Sequence, residues 1–222
     1  MKATISADII KSTSLDKLMV LELQNHLRNY VDTVEQSFPT CWGRVVRGDC
    51  IELVVPEARL AFRLAIMLKC HVKAFGVKFG GHSNRLTFHQ AKFFKYGVRI
   101  AIGFGSLKIN DLENGIIDGK AIYASGRTLD GMSSRMRKNF VVAGLKDGRE
   151  RLVQAVLGLV DELLSHATAR QCEIVLMRLL GRTEKEIAES KAITQVAVNA
   201  HLRRAGWYAI EGAVAACEEI LS

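Results

Sequence analysis

The sequence predicts an α+β protein in which a ferredoxin-like sheet domain is followed by an all-α domain. Two observations support this prediction. The first half contains strand-like and helix-like segments in the order strand, helix, strand, strand, helix, strand, which is the split βαβ pattern. The second half shows helical periodicity of its apolar residues. We expect the sheet domain at residues 1–147, a connecting helix at 148–166 and the all-α domain at 167–222.

Local signals define the expected elements of the sheet domain. Residues 2–9 have the pattern of a strand, and Ser12–Ser14 offer N-caps for a helix that ends before Pro39, because proline disfavours helix in the residue before it. Gly48-Asp49 separates two strand-like runs, as in a tight hairpin. The predicted elements from there on are strands at 41–47 and 50–55, a helix starting at Pro56, a loop or loose hairpin at 75–96, a strand at 98–105, a polar connection at 108–118, a helix at 119–132, a short strand at 140–142 and a helix at 148–166.

Composition excludes several classes of protein. Of the 222 residues, 49% are hydrophobic, which is enough to bury a core. No run approaches the roughly eighteen apolar residues that a membrane span needs, and the N-terminus lacks the pattern of a secretory signal. We therefore expect a cytoplasmic protein without a membrane segment. The five cysteines are scattered and form no C-x-x-C pair, so we expect reduced thiols rather than disulfides or a zinc site.

The positive charge is concentrated in the middle of the chain. The net charge is +8, and residues 59–108 carry ten Lys or Arg and no Asp or Glu. A stretch of one sign can attract polyanions such as nucleic acids. The alternative is a solvated basic face that binds no ligand.

Helix-start signals divide the last third of the chain into short helices. Thr168 with Gln171, and Thr183 with Glu186, each form the spacing of a capping box. Thr194 can cap a third helix, and a fourth follows it. The second and third helices are joined by a tight turn, which is the arrangement of a DNA-binding helix-turn-helix.

This region resembles a known family of DNA-binding modules. The T-x-K-E-I-A core that starts at Thr183 and the V-x-x-H-L spacing that starts at Val198 resemble the helix-turn-helix of LuxR-type regulators and of sigma-factor region four. The resemblance implies that the third helix enters the major groove, where Gln and Asn can pair with adenine and Arg with guanine. The residues it places toward the bases are Gln195, Val196, Asn199 and Arg203. Candidates for phosphate contacts are Thr183, Lys185 and Arg204.

A second interpretation of the tail stays open. Residues 166–222 carry seven Lys or Arg and seven Asp or Glu, so they lack the basic excess of many DNA-binding modules. A helical bundle used only for dimerisation would have the same helices.

Two aspartates in the sheet domain form a candidate metal site. Asp8 ends the first strand and Asp49 lies in the hairpin turn. In a ferredoxin-like sheet these strands are neighbours, so we expect the two carboxylates to approach each other. Paired carboxylates suit Mg²⁺ or Mn²⁺, and metals held in this way can assist phosphoryl transfer. The alternative is ordinary turn chemistry, which aspartates favour.

The same segments resemble an enzyme superfamily. The D-I-x-x-S opening at Asp8, the G-D hairpin at Asp49 and the G-x-A helix start at Gly119 are similar to class III nucleotidyl cyclases and, more closely, to SatD-like proteins. The resemblance implies that Asp8 and Asp49 bind metal, that Arg127 is the catalytic arginine that stabilises the transferring phosphate, and that the site forms between the subunits of a homodimer. Arg127 is alternatively a surface arginine. Tyr123 stands where the cyclases have an asparagine that orients ribose, which favours a catalytically degenerate site.

The sequence therefore predicts a DNA-binding transcriptional regulator. Its cyclase-like domain would sense a nucleotide effector or mediate dimerisation. A metal-dependent nucleotidyl cyclase, or another phosphoryl-transfer enzyme, is the alternative function, and an interaction protein without DNA affinity is a third.

Overall fold

The computed structural model describes residues 1–77, 87–111, 116–132 and 139–222. The elements in chain order are β1 (Lys2–Ile9), α1 (Lys17–Ser37), β2 (Trp42–Val46), β3 (Cys50–Val55), α2 (Leu60–Ala74), α3 (Phe88–Tyr96), β4 (Val98–Gly105), β5 (Lys108–Asp111), β6 (Ile116–Asp118), α4 (Lys120–Gly131), β7 (Phe140–Ala143), α5 (Arg149–His166), α6 (Ala169–Leu179), α7 (Glu184–Lys191), α8 (Gln195–Ala205) and α9 (Trp207–Ile220). The predicted α+β class is confirmed. Within these ranges, no helix has both the length and the hydropathy of a membrane span.

The main sheet has five strands in the order β2-β3-β1-β4-β7. Strand β1 lies at its centre and is antiparallel to both neighbours, with Ile5 opposite Leu53 of β3 and Ile102 of β4. Strand β7 adds to the edge of β4 in parallel. Strands β5 and β6 form a separate two-stranded ribbon.

The two faces of the central strand differ in polarity because side chains alternate along a strand. Ala3, Ile5 and Ala7 are buried in the hydrophobic core that the sheet shares with α1 and α2. Thr4 and Ser6 lie on the opposite face, where their hydroxyls are 2.9 Å and 2.8 Å from the Ser125 hydroxyl of α4. Helix α4 is therefore joined to the sheet through buried hydroxyl groups.

A glycine in β4 permits the close approach of α4. A Cβ atom at Gly103 would lie 2.2 Å from the carbonyl oxygen of Ala121 and 2.4 Å from the backbone nitrogen of Ser125. Both are backbone atoms of α4, so a side chain at this position requires the helix to move.

Helix α2 connects the sheet to the helical tail. Eleven of its side chains are buried, and they include Lys69 and Lys73. Arg63 donates to the Glu218 carboxylate of α9, with Nε 2.6 Å from Oε1, and to the Leu179 carbonyl of α6. Buried residues from Ala3 to Leu221 form one hydrophobic cluster. The predicted domain boundaries at 147 and 166 stay a prediction.

A buried ion pair lies between α2 and α5. The Lys69 Nζ, which is fully buried, is 2.8 Å from Oδ1 of Asp161. Asn139 donates to the other oxygen of the same carboxylate at 2.9 Å. The Lys69 ammonium also lies 5.5 Å from the centre of the Phe140 ring. Because both charges are removed from water, each depends on the other for its stability in the fold.

Several predicted boundaries are wrong. Helix α1 begins at Lys17 and is capped by Asp16, whose carboxylate accepts from the Met19 amide at 2.9 Å, whereas Ser12–Ser14 form a 3-10 turn. Helix α2 begins at Leu60 rather than at Pro56. The polar connection at 108–118 contains β5 and β6, apart from 112–115, which lie outside the described residues.

The predicted loop at 75–96 is also wrong where it is described. It contains α3, which starts with a capping box between Thr87 and Gln90. The remaining part, 78–86, lies outside the described residues. The predicted strands β1, β2, β3, β4 and β7 and the helices α4 and α5 are confirmed to within one or two residues.

Replacing Gly103 by alanine should destabilise the protein by about 1–3 kcal/mol, because the new methyl group overpacks the contact between β4 and α4. Gly126 of α4 is a matched control, since a Cβ there has no atom within 4 Å. Gly126→Ala should stabilise the helix by about 0.5–1 kcal/mol. Urea unfolding of both variants measures the two effects, and equal changes would contradict the close approach.

Replacing Lys69 by methionine should cost about 3–5 kcal/mol, because it leaves the Asp161 carboxylate buried without its cation. The double variant Lys69→Met/Asp161→Asn should recover most of this loss, since the carboxylate is replaced by a neutral amide. Urea unfolding of both variants and of Asp161→Asn gives the coupling energy. Additive losses would show that the two side chains do not depend on each other.

Candidate functional site

Helix α8 is the helix of the tail for which base contacts are predicted. Its N-cap Thr194 accepts from the Ala197 amide at 3.1 Å, and Val198 and Leu202 are buried. The turn before it contains Ala192 in the left-handed region, with φ 51°. Both predicted capping boxes, at Thr168 and Thr183, are formed. Helix α8 is therefore fixed on one side only.

The other side of α8 is open to solvent. Gln195 and Arg203 are exposed, Val196 is 79% exposed, and Asn199 is half-buried. The structure thus places the four residues predicted for base contacts along one accessible face.

The three residues predicted to contact phosphate differ in charge and in their hydrogen bonds. Lys185 and Arg204 are exposed, and so is Thr183. The Thr183 hydroxyl accepts from the Glu186 amide at 3.2 Å and donates to the Glu186 carboxylate at 2.9 Å. The Thr183 backbone amide, which donates to the Glu186 carboxylate at 2.7 Å, and then the Thr183 hydroxyl lower the pKa of Glu186 and keep a negative charge at the start of α7. Of the three residues, Lys185 and Arg204 have charges that can attract phosphate.

The basic stretch at 59–108 is partly used in contacts within the protein. Among the residues of this stretch that the structure describes, five cationic side chains pair with acidic groups or with carbonyl groups. The partners are Glu57 for Arg59, Glu218 for Arg63, Asp161 for Lys69, the Lys95 and Ser165 carbonyls for Lys73, and Asp8 for Arg99. The stretch therefore supplies counter-charges to the fold, and its charge excess does not by itself indicate a polyanion surface.

The sheet places Asp8 and Asp49 together at one end of β1. Ligand atoms of Asp8, Asp49 and Cys50 all lie within 4.8 Å of one another. The Cys50 thiol points to both carboxylates, with Sγ 3.8 Å from Oδ1 of Asp8 and 3.7 Å from Oδ1 of Asp49. Burial and the two carboxylates raise the pKa of Cys50 to about 12, so this thiol stays protonated at neutral pH.

Each carboxylate has a second partner. Arg99 of β4 forms an ion pair with Oδ2 of Asp8 and donates through its other Nη atom to the Met132 carbonyl. Ser12 donates to Oδ2 of Asp49 at 2.7 Å. Arg99 was missed by sequence reasoning, although it lies directly opposite Asp8 in the antiparallel register of β1 and β4.

The donor set partly fits a single hard cation. The two Oδ1 atoms converge, and Mg²⁺ commonly takes one or two carboxylates together with phosphate oxygens and water. The Arg99 guanidinium already neutralises one carboxylate, which lowers the attraction for a free cation. A thiol is also a poor ligand for such a metal. Binding would therefore depend on a phosphate ligand that supplies further oxygens.

Arg127 contacts an aromatic ring of its own helix. It is exposed on α4, and its guanidinium carbon lies 5.7 Å from the centre of the Tyr123 ring. The Tyr123 hydroxyl is hydrogen-bonded to Asp118, which raises the pKa of Tyr123. Within one chain, Asp8 pairs with Arg99, whereas Arg127 lies over the Tyr123 ring.

No protein-family model matches this sequence, and no match is found among curated proteins or among solved structures. The function is therefore inferred from the residues of these two sites.

Replacing Asp8 by asparagine should increase the reactivity of Cys50, because it removes one of the two charges that raise the thiol pKa. A fall of about one pKa unit gives roughly ten times more thiolate at a given pH. Iodoacetamide labelling followed by peptide mass spectrometry reports this rate, since the other four cysteines are buried. Asp147→Asn, in a distant exposed turn, is the control. An unchanged labelling rate in Asp8→Asn would argue against the contact.

Proposed function

We propose that this protein is a DNA-binding transcriptional regulator in which α6, α7 and α8 form a helix-turn-helix. The observation that supports it most directly is the division of α8 into two faces. Val198 and Leu202 are buried, while Gln195, Val196 and Arg203 are presented to solvent. Exposed side chains along one face of a helix suit direct readout of base edges in the major groove.

The sheet domain is proposed to be ferredoxin-like and related to SatD-like and cyclase domains. Its antiparallel order β4-β1-β3-β2, with α1 and α2 as crossovers, supports this assignment. In this proposal the domain senses a nucleotide through Asp8 and Asp49, with Mg²⁺ or Mn²⁺, or it mediates homodimerisation. A two-fold dimer would place two α8 helices on a two-fold DNA site.

Replacing Gln195 or Asn199 by alanine should relax base preference at one position of the bound site, at a cost of about 1–3 kcal/mol for the preferred base. Selection of bound fragments from a random DNA pool, followed by affinity measurements on single-base variants, gives this loss. Arg204→Ala should weaken binding to all sequences and reduce its salt dependence, because the arginine is proposed to contact phosphate.

Gln36→Ala is the matched control, because Gln36 is an exposed glutamine on α1 and far from α8 in the chain. It should leave the selected sequence unchanged. If neither Gln195→Ala nor Asn199→Ala changes the profile, base readout by α8 is wrong. If the wild-type protein binds no DNA even at low salt, the regulator proposal fails and an interaction protein is favoured.

A phosphoryl-transfer enzyme is the second candidate, and the pairing of Asp8 with Asp49 is the observation that favours it. Purified protein with Mn²⁺ and ATP or GTP would then form a cyclic product, and Asp8→Ala would abolish it. Cys50 labelling gives a readout without turnover, since a cation at the carboxylates would change the reactivity of the adjacent thiol. If no cyclic product forms and the labelling of Cys50 does not change, this candidate is excluded.

A further inference from the structure

Helix α5 carries a partly exposed apolar stripe, one member of which, Val156, also packs against the core. Leu152 is 51% exposed, Leu159 is 71% exposed and Leu163 is 37% exposed, and Val156 is half-buried among them. An adjacent face of the helix, about 100° around its axis, is anchored in the core by Val153, Leu157, Val160 and Leu164. An exposed apolar stripe on a helix that already has a buried face indicates a second packing surface.

The spacing of the stripe is that of a helix-packing seam. Leu152, Val156, Leu159 and Leu163 are separated by four, three and four residues. This 4-3-4 spacing is the a/d pattern along which two helices interlock their side chains. At about 100° per residue, all four lie within an arc of roughly 60° on the helix surface.

We propose that a second copy of this chain packs on this stripe, so that two α5 helices pair in antiparallel orientation about a two-fold axis. An axis midway between Val156 and Leu159 would bring Leu152 of one protomer opposite Leu163 of the other, and Val156 opposite Leu159. The stripe is therefore complementary to itself, as an isologous interface requires.

Charges beside the stripe favour the antiparallel orientation. Arg151, near the start of α5, and Glu162, near its end, are exposed and lie on the same flank, because eleven residues make almost three helical turns. Antiparallel pairing brings Arg151 of each protomer beside Glu162 of the other. Parallel pairing would put the two copies of this flank on opposite edges of the seam and would lose these ion pairs. Flanking charges of this kind set helix orientation.

The seam also lies beside the reading helix. A Cβ atom at Gly206, the C-cap of α8, would come within 3.3 Å of the Leu163 side chain. Pairing through α5 would thus fix the relative positions of two α8 helices. The biological role of this dimer rests on the proposed regulator. The association of the two chains itself needs no DNA.

Sedimentation equilibrium over a wide concentration range tests the interface. The wild-type protein should dimerise, and Leu159→Glu should raise the dimer dissociation constant at least about a hundredfold, because each dimer would bury two carboxylates in its apolar centre. Leu18→Glu is the matched control, since Leu18 on α1 is 69% exposed and lies outside α5. It should dimerise like the wild type. A monomeric wild type, or a Leu159→Glu protein that dimerises normally, would overturn the proposal.

Charge exchange tests the orientation and also covers the case in which Leu159→Glu does not fold. Arg151→Glu and Glu162→Arg should each weaken the dimer, and the double variant should regain affinity because the pairs are restored with reversed sign. If both single variants lose dimer affinity and the double variant does not regain it, the antiparallel arrangement is wrong.

DNA binding is measured separately, on the wild type and on Leu159→Glu. A dimer that depends on Leu159 but never binds DNA would refute the regulator while leaving the interface intact. A wild type that binds DNA sequence-specifically but is monomeric at every concentration would support the regulator and refute the interface.

Discussion

Burial of α2 on both sides is the constraint on which the rest of the structure depends. One side of this helix completes the core of the sheet, and the other supports α6 and α9 of the tail. A helix in this position needs apolar residues around most of its circumference. The cations that it does carry inside must then find partners there, which Lys69 does with Asp161 and Lys73 with two backbone carbonyls. Burial lowers the pKa of Lys73 to about 8, which shows how strongly this environment disfavours an unpaired charge.

Local signals predicted the helical tail well because three of its helices, α6, α7 and α8, start with a side chain that bonds to a nearby amide. The caps at Thr168, Thr183 and Thr194 can be recognised from three or four residues of sequence. The same signal was present at Thr87 and Gln90, but the lack of a clear apolar period in the surrounding residues favoured a loop. At Asp16 the cap is also local, and the preceding serines offered a competing start.

Non-local contacts were less accessible to sequence reasoning. The approach of Asp8 to Asp49 follows from adjacent strands, so it could be anticipated from the order of elements alone. The pairing of Asp8 with Arg99 depends on the register between β1 and β4, and these strands are about ninety residues apart in the chain. The basic stretch shows the same difficulty, because the acidic partners of Arg63 and Lys69 lie in α9 and α5. A count of charges along the sequence cannot distinguish a binding surface from an internal set of ion pairs.

The arrangement of the carboxylate cluster favours binding over catalysis. In-line phosphoryl transfer needs a metal at the carboxylates, a cation on the transferring phosphate and a group that orients the nucleophile. Here Arg99 already occupies one carboxylate, and Cys50 remains a neutral thiol between the two. Tyr123 interacts with Asp118 and with Arg127 on α4. A nucleotide could still bind if its metal ion took the place of Arg99 at the Asp8 carboxylate and its phosphate paired with the released guanidinium. The nucleotide-sensing role proposed for this domain needs that exchange only, whereas turnover would also need a cation on the transferring phosphate and a group that orients the nucleophile.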